Sequence, residues 1–402
     1  MNWLNTIGLL LLVAGHTEIL TTIVNRSHGL RIHQGPLKQL RHLHDALMPA
    51  FPVILLFVIG FRGHRLMFEG HWAELSVAWK LYLGICAMGV VGLCFSMVRY
   101  LLKREPAQLV AKGSQTVDIE SRLGIRPVGE GPFQFLTKIP GNELFQLDLS
   151  EKIFRLQNLP AEWNGISIMH LTDTHFIGTV DKPYFEEVCR VAAKQQADMI
   201  VFTGDLMDEL QFVDWIPDTL GKLSSPLGCY FILGNHDWDL PEQNSVRQKM
   251  TEQGWIDVAG KCVSIELAGK TLAIGGSECP WMGKQPDFSQ VADADFRLLL
   301  SHTPDNLSWA KRNAVDLVLA GHNHGGQVVL PVIGPVYTPS LHGCKYSGGS
   351  FSEGGTVMHV SRGLSGRHPL RLNCKPELTK LVLLPEQLVA GQTVSEQVSL
   401  TI

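Results

Sequence analysis

Charge is scarce in this sequence. Asp, Glu, Lys and Arg make up 18% of its 402 residues, against about 25% in an ordinary soluble domain. Apolar residues make up 45%, and there is no internal repeat or low-complexity tract, so a disordered or collagen-like chain is excluded. Cysteine is thin and unpaired. The eight (Cys86, Cys94, Cys189, Cys229, Cys262, Cys279, Cys344 and Cys374) form no Cys-x-x-Cys. They read as reduced core thiols of a reducing compartment. Acidic residues are few at the front and basic ones few behind. Residues 1–104 hold ten Lys/Arg against four Asp/Glu, a net +6, and the remainder holds 24 against 34, a net −10. A body at −10 offers no basic face to phosphate backbones, so nucleic acid is not an expected partner.

Long apolar runs are present, and all lie in the first quarter. About 20 helical residues cross a bilayer. Residues 3–24, 47–66 and 81–102 are expected to be three spans of a transmembrane region covering 1–104; the middle one carries Pro49 and Pro52. No positive charge precedes the first run and no small-residue site closes it, which is unlike a cleaved signal peptide. With three spans, placing the N-terminus outside leaves eight flanking Lys/Arg inside and three outside, and the positive-inside rule then puts the body in the cytoplasm. His16 and Glu18 fall within the first span, where a polar contact to a neighbouring helix is the expected role. A linker is expected over 105–142, a catalytic domain over 143–390 and a tail over 391–402.

From residue 166 on, one arrangement recurs. A short apolar run ends in Asp, His or Asn: Asp173 and His175 after ISIMHL, Asp205 and Asp208 after MIVFT, Asn235, His236 and Asp237 after CYFIL, His302 after FRLLLS, His322 and His324 after DLVLA. The runs read as buried strands, and the helical pattern of 183–197 between the first two makes a βαβ unit. Ligands in such sheets collect beyond the carboxyl ends of the strands. Carboxylates, imidazoles and an amide oxygen suit divalent cations, and no thiolate takes part.

Asp-x-His, Gly-Asp-x-x-Asp, Gly-Asn-His-Asp, a later His and Gly-His-x-His, in this order, resemble the calcineurin-like metallophosphoesterase family over about residues 145–385. The resemblance implies a four-layer α/β/β/α sandwich, here preceded by a small transmembrane helical region. It implies two divalent ions (Mn, Fe or Zn), the first held by Asp173, His175 and His324, the second by Asn235, His302 and His322, with Asp205 bridging. It implies that His236 acts near the scissile group and that Asp208 orients its ring. Gly325-Gly326-Gln327, LPVIGP (330–335), Lys345-Tyr346 and Val360–Leu364 are most similar to the membrane-anchored bacterial branch, which includes proteins like UDP-2,3-diacylglucosamine hydrolases. Arg362 and Gly325 are then candidates for substrate contact.

The expected activity is hydrolysis of a phosphodiester or pyrophosphate bond in a phosphorylated small molecule or lipid-linked nucleotide, at a bacterial-type inner membrane. Two alternatives stand beside it. One is a tethered phosphatase for small diesters or phosphoproteins. The other is a non-catalytic membrane receptor that uses the metal domain to bind ligand.

Overall fold

The computed structural model describes residues 1–386; the expected tail over 391–402 lies outside them. The chain divides into two compact units. One comprises Met1–Lys103 with Leu330–Lys345, the other Arg104–Val329 with the stretch from Tyr346 on.

The first unit is built on α1 (Trp3–His28), α2 (Gln34–Ile54), which runs on as a π-helical segment (Leu55–Arg62), and α3 (Val77–Leu101). Asn2 and Ser76 cap α1 and α3 by accepting the amides of Asn5 and Trp79, which satisfies otherwise orphaned donors. Trp3–His28, Gly35–Arg62 and Val77–Leu101 are long and apolar enough to cross a membrane. The middle helix begins well before residue 47. Its first turns carry Lys38, Arg41 and Asp45, so they contribute nothing to an apolar run. Pro49 and Pro52 remain inside it, each removing an amide donor. α1 and α3 cross at Gly15 and Gly89, where a Cβ on either would fall about 2 Å from the other helix's backbone oxygen. His16 joins the three helices: its ring stacks on Phe51, bonds the Tyr82 hydroxyl and faces the Leu47 carbonyl.

Residues 330–345, inside the stretch read as catalytic domain, cluster with these helices. Asn25 binds the backbone of that segment twice, donating to the Val336 carbonyl and accepting the Thr338 amide, both at 3.0 Å. The Arg41 guanidinium lies over the Tyr337 ring at 4.9 Å, and the Tyr100 ring fills the space beside Gly334.

The second unit is a two-sheet sandwich. Its strands are β1 (Leu109–Asp118), β2 (Gln146–Leu156), β3 (Ser167–Leu171), β4 (Met199–Thr203), β5 (Cys229–Ile232), β6 (Trp255–Asp257), β7 (Cys262–Leu267), β8 (Lys270–Ser277), β9 (Phe296–Ser301) and β10 (Leu317–Ala320). Next in chain order come the two-residue β11 (Val329–Leu330) and β12 (Gly334–Pro335), the latter within the first unit, and then, in the second, β13 (Gly349–Glu353), β14 (Thr356–Val360) and β15 (Glu377–Pro385). Helices α4 (Ile119–Leu123), α5 (Lys182–Ala193), α6 (Asn235–Trp238), α7 (Gln243–Glu252) and α8 (Leu307–Arg312) connect them. One sheet runs β1-β2-β15-β3-β4-β5-β6, the other β13-β14-β10-β9-β8-β7.

Burial explains the layering. Strands β3, β4, β5, β10 and β14 are buried along their whole length, and β9 everywhere but at Arg297, as strands covered on both faces must be. Ile168, Val201 and Ile232 of one sheet meet Ile274, Leu298 and Leu319 of the other in a shared core. A second core joins the outer face of the first sheet to α5 and α7, and a third joins the second sheet to α8. The result is the expected α/β/β/α order. Strand β1 was not expected, because it lies in the presumed linker. Apart from Leu109, Val110 and Val117 its residues are small or polar, most are exposed, and the antiparallel ladder to β2 makes it a strand.

Candidate metal centre

The five parallel-sheet strands that precede the candidate clusters, β3, β4, β5, β9 and β10, end one to three residues before Asp173, Asp205, Asn235, His302 and His322. Pairing of β3 with β4, β4 with β5 and β9 with β10 is parallel, so these ends share one side of each sheet. The turns are sharp. Asp173, His175, Asp205, His322 and His324 all take positive φ, between 46° and 70°, a region that costs a side-chain-bearing residue about 1–2 kcal/mol. That conformation turns each side chain back toward the common centre, and such strain concentrates at functional sites.

Three groups of donor atoms result: Asp173, His175, Asp205 and His324; His175, Asp208 and His236; Asp205, His302 and His322. Within each group the atoms lie within 4.8 Å of one another, close enough to hold a metal ion. Asp205 Oδ2 belongs to both ends, 3.5 Å from His175 Nε2 and 3.3 Å from His302 Nε2. Asn235 Oδ1 stands 3.1 Å from His302 Nε2. Asp208 serves two rings, with Oδ2 2.8 Å from His175 Nδ1 and Oδ1 2.6 Å from His236 Nδ1.

The hydrogen bonds test whether cations belong here. His175 Nδ1 faces the Asp208 carboxylate, and His324 Nδ1 faces the Ser365 carbonyl at 3.1 Å. Both partners only accept, so each Nδ1 carries the proton. In neutral rings, Nε2 then presents a lone pair, yet the two Nε2 atoms are 3.1 Å apart. His302 repeats the pattern. Its Nδ1 donates to the Thr203 carbonyl, and its Nε2 faces Asn235 Oδ1, Asp205 Oδ2 and His322 Nδ1. Lone pairs converging on lone pairs and carboxylates require positive charge between them, and this donor set fits divalent ions.

With no cation in place, the carboxylates draw protons onto the rings instead, which is the same demand for positive charge. Burial works against a charge on His236 and His302, but Asp208 and Asp205 overcome it and push both imidazoles up to about 9. Burial likewise opposes the Asp208 carboxylate, and the neighbouring His236 and His175 hold it well below the usual range. His324 moves the other way, lowered by burial, His175 and Arg371.

Every expected ligand position and both expected catalytic positions therefore converge. His302, which stands alone in the sequence, is fully buried among the others. Arg362 is placed differently from the substrate contact expected of it. Its guanidinium bonds Glu377 and Asp148 of its own fold. At Gly325, a Cβ would meet Cys374 Sγ at 2.6 Å and Arg362 Cγ at 2.8 Å, so the missing side chain makes room for the protein itself. The glycines ahead of two ligands have a similar reason. A Cβ on Gly234 would lie 2.2 Å from Asp205 Oδ1, and one on Gly321 2.4 Å from Asp173 Oδ2.

Some residues support the centre in ways the sequence reading did not assign. Asp237 accepts the amides of Leu206, Met207 and Gly234 and so shapes the Asp205 turn; its place in Gly-Asn-His-Asp was the available signal. Trp281 lies against the His322 and His302 rings at 4.8 and 5.6 Å. Arg371, fully buried, donates to the carbonyls of His324, Arg362 and Ser365. Nothing local in the sequence marks these two.

Comparison with known proteins agrees with this geometry. The calcineurin-like phosphoesterase profile matches residues 166–326, the stretch that supplies every candidate ligand. The chain is 31% identical over 250 residues to the uncharacterized metallophosphoesterase YkuE of Bacillus subtilis, covering 60% of this chain and 87% of YkuE. It is 27% identical to the phosphodiesterase YaeI of Escherichia coli, with 54% and 82% covered. It is 24% identical to the UDP-2,3-diacylglucosamine pyrophosphatase LpxG of Chlamydia muridarum, with 58% and 88% covered. The chain belongs to the calcineurin-like metallophosphoesterase family and is a metal-dependent phosphoric ester hydrolase.

Proposed function

We propose that this protein is a membrane-anchored, dinuclear metal-dependent hydrolase of a phosphodiester or pyrophosphate bond, acting on a lipid-linked nucleotide such as UDP-2,3-diacylglucosamine. The observation that carries the dinuclear reading is the double convergence of imidazole lone pairs, His175 on His324 and His302 on Asn235, with Asp205 between. Asp173, His175 and His324 would hold one ion, Asn235, His302 and His322 the other, and Asp205 would bridge. Bound there, two divalent ions supply Lewis-acid stabilisation of the phosphoryl oxygens and a water acidic enough to attack at neutral pH.

The rest falls to side chains. His236 is poised to donate a proton to the leaving oxygen, because Asp208 fixes its Nδ1 and leaves Nε2 for substrate. Asp208 also holds His175 in the tautomer that presents Nε2 inward. Asp237 and the Asp205–His236 amide bond at 2.9 Å keep the two loops from shifting against each other.

The lipid-linked substrate is supported by LpxG's activity and by the three apolar helices. An enzyme and a lipid sharing one bilayer meet at raised effective concentration. In this reading the helices span the membrane with the N-terminus outside, and a reporter fused at the C-terminus should be active only in the cytoplasm. Trp281 and Met282 are buried and offer no exposed apolar rim to an acyl chain. The test is to load the purified protein with Mn²⁺, incubate it with UDP-2,3-diacylglucosamine in detergent, and measure UMP. No UMP alongside hydrolysis of an aryl phosphodiester would remove the lipid substrate and leave the enzyme class. Metal analysis should give two ions per chain.

A further inference from the structure

We propose that Arg367 is the specificity residue for a second phosphate, so that the enzyme favours pyrophosphate esters over simple diesters. The inference rests on the phosphoesterase reading above and names the substrate class of the same site.

The segment from Gly363 to Arg371 forms one wall of the centre. The Leu364 and Ser365 amides bond the Thr172 and Asp173 carbonyls at 3.1 and 2.9 Å, and the Ser365 carbonyl holds His324 Nδ1. At Gly366 the wall presses so close that a Cβ would stand 2.1 Å from Gln327 Nε2 and 3.5 Å from His324 Nδ1. The next residue, Arg367, brings Nη1 to 4.0 Å from Asp208 Oδ1 with its side chain 42% exposed. That separation is too long for a hydrogen bond. Both oxygens of Asp208 already receive ring N–H groups, from His236 and His175. Among the described residues Arg367 has no other ionic partner, so its fork of donors stays open beside the proposed proton donor.

The neighbouring arginine shows what an occupied one looks like. Arg362 is bound by both Glu377 and Asp148 and is half-buried between them. Arg367 has the opposite character: a cation held at the rim by a short, well-anchored wall, near an acid already satisfied. A diester presents one negative charge, on the phosphorus to be cleaved. A pyrophosphate ester presents another on the adjacent phosphorus, and a planar guanidinium suits that group. Beside Arg367, the His368 ring lies 4.6 Å from that of Phe133, which carries the same rim away from the cluster.

The test uses the full-length, Mn²⁺-loaded protein in detergent and two substrates, bis(4-nitrophenyl) phosphate and a uridine diphosphate ester. Arg367→Gln should raise KM for the diphosphate ester by about ten- to a hundredfold, the size of one charge-assisted hydrogen bond. Its kcat and KM for the aryl diester should stay within about twofold, and its metal content should not change. Arg367→Lys should recover part of the loss, since it restores the charge without the fork. Equal losses on both substrates would mean that Arg367 acts through Asp208 and His236, and would overturn the proposal. So would unchanged kinetics on both, or a wild type that cleaves the diester and ignores the diphosphate. A wild type inert toward both would instead defeat the underlying phosphoesterase reading.

Discussion

Asp208 is the residue on which two functions meet. One oxygen fixes the ring of a proposed metal ligand and the other fixes the ring of the proposed proton donor. His236 can therefore be removed with less collateral damage than Asp208. His236→Ala should keep its metals and lose about 10²–10⁴ in rate, measured as kcat on the natural substrate with metal content determined in parallel; wild-type kinetics would show that His236 takes no part. At this scale much was legible, because Asp173, His175, Asp205, Asn235, His322 and His324 sit in short local patterns that survive without any tertiary information. Arg371 and Trp281 were not legible. Each reaches the centre from a distant segment, and a buried arginine or tryptophan looks in sequence like any other. Arg362 misled for the same reason. The residues that engage it, Asp148 and Glu377, lie on β2 and β15, which pair only in the fold.

At the scale of elements, β2 and β15 carry the most exposed electrostatic risk. Lys152 on β2 donates to Glu377 Oε1 at 2.7 Å and Arg362 donates to its Oε2; Lys152 and Glu377 are buried. Burial disfavours the Glu377 carboxylate, but Lys152 and Arg362 outweigh it and hold its pKa well below the ordinary glutamate value. A depressed carboxylate stabilises the fold above its unfolded value, near 4.5, and that contribution is lost as pH falls. Glu377→Gln leaves the buried Lys152 without its carboxylate while Arg362 keeps Asp148, and should cost about 3 kcal/mol. Denaturant titrations at pH 7 and pH 4 should show the variant losing less stability on acidification than the wild type; an equal loss would refute the assignment. Elements were less legible than residues where composition misled. β1 hid in a polar stretch, and the front of α2 hid behind Lys38, Arg41 and Asp45, since a ladder partner and a helical neighbour are invisible to a hydropathy reading.

For the whole molecule, the segment 330–345 matters most. It leaves the catalytic unit at Val329, six residues or fewer past the last candidate ligand, and returns at Tyr346, whose carbonyl holds Asn323 of the ligand loop at 2.8 Å. In between it clusters with the helices through Asn25, Arg41 and Tyr100. A protein cut to begin at residue 104 loses those three partners and keeps the segment. That truncation should elute as aggregate on size exclusion. A second version, with 330–345 also replaced by a short Gly-Ser bridge, should elute as a monomer; a well-behaved first version would show that the segment needs no helices.

The same feature bears on how the chain can be dismantled at the bench. The helical unit is discontinuous in the sequence. Its last piece, residues 330–345, lies between segments of the hydrolase unit, so grafting the leading helices onto another enzyme would transfer an incomplete unit.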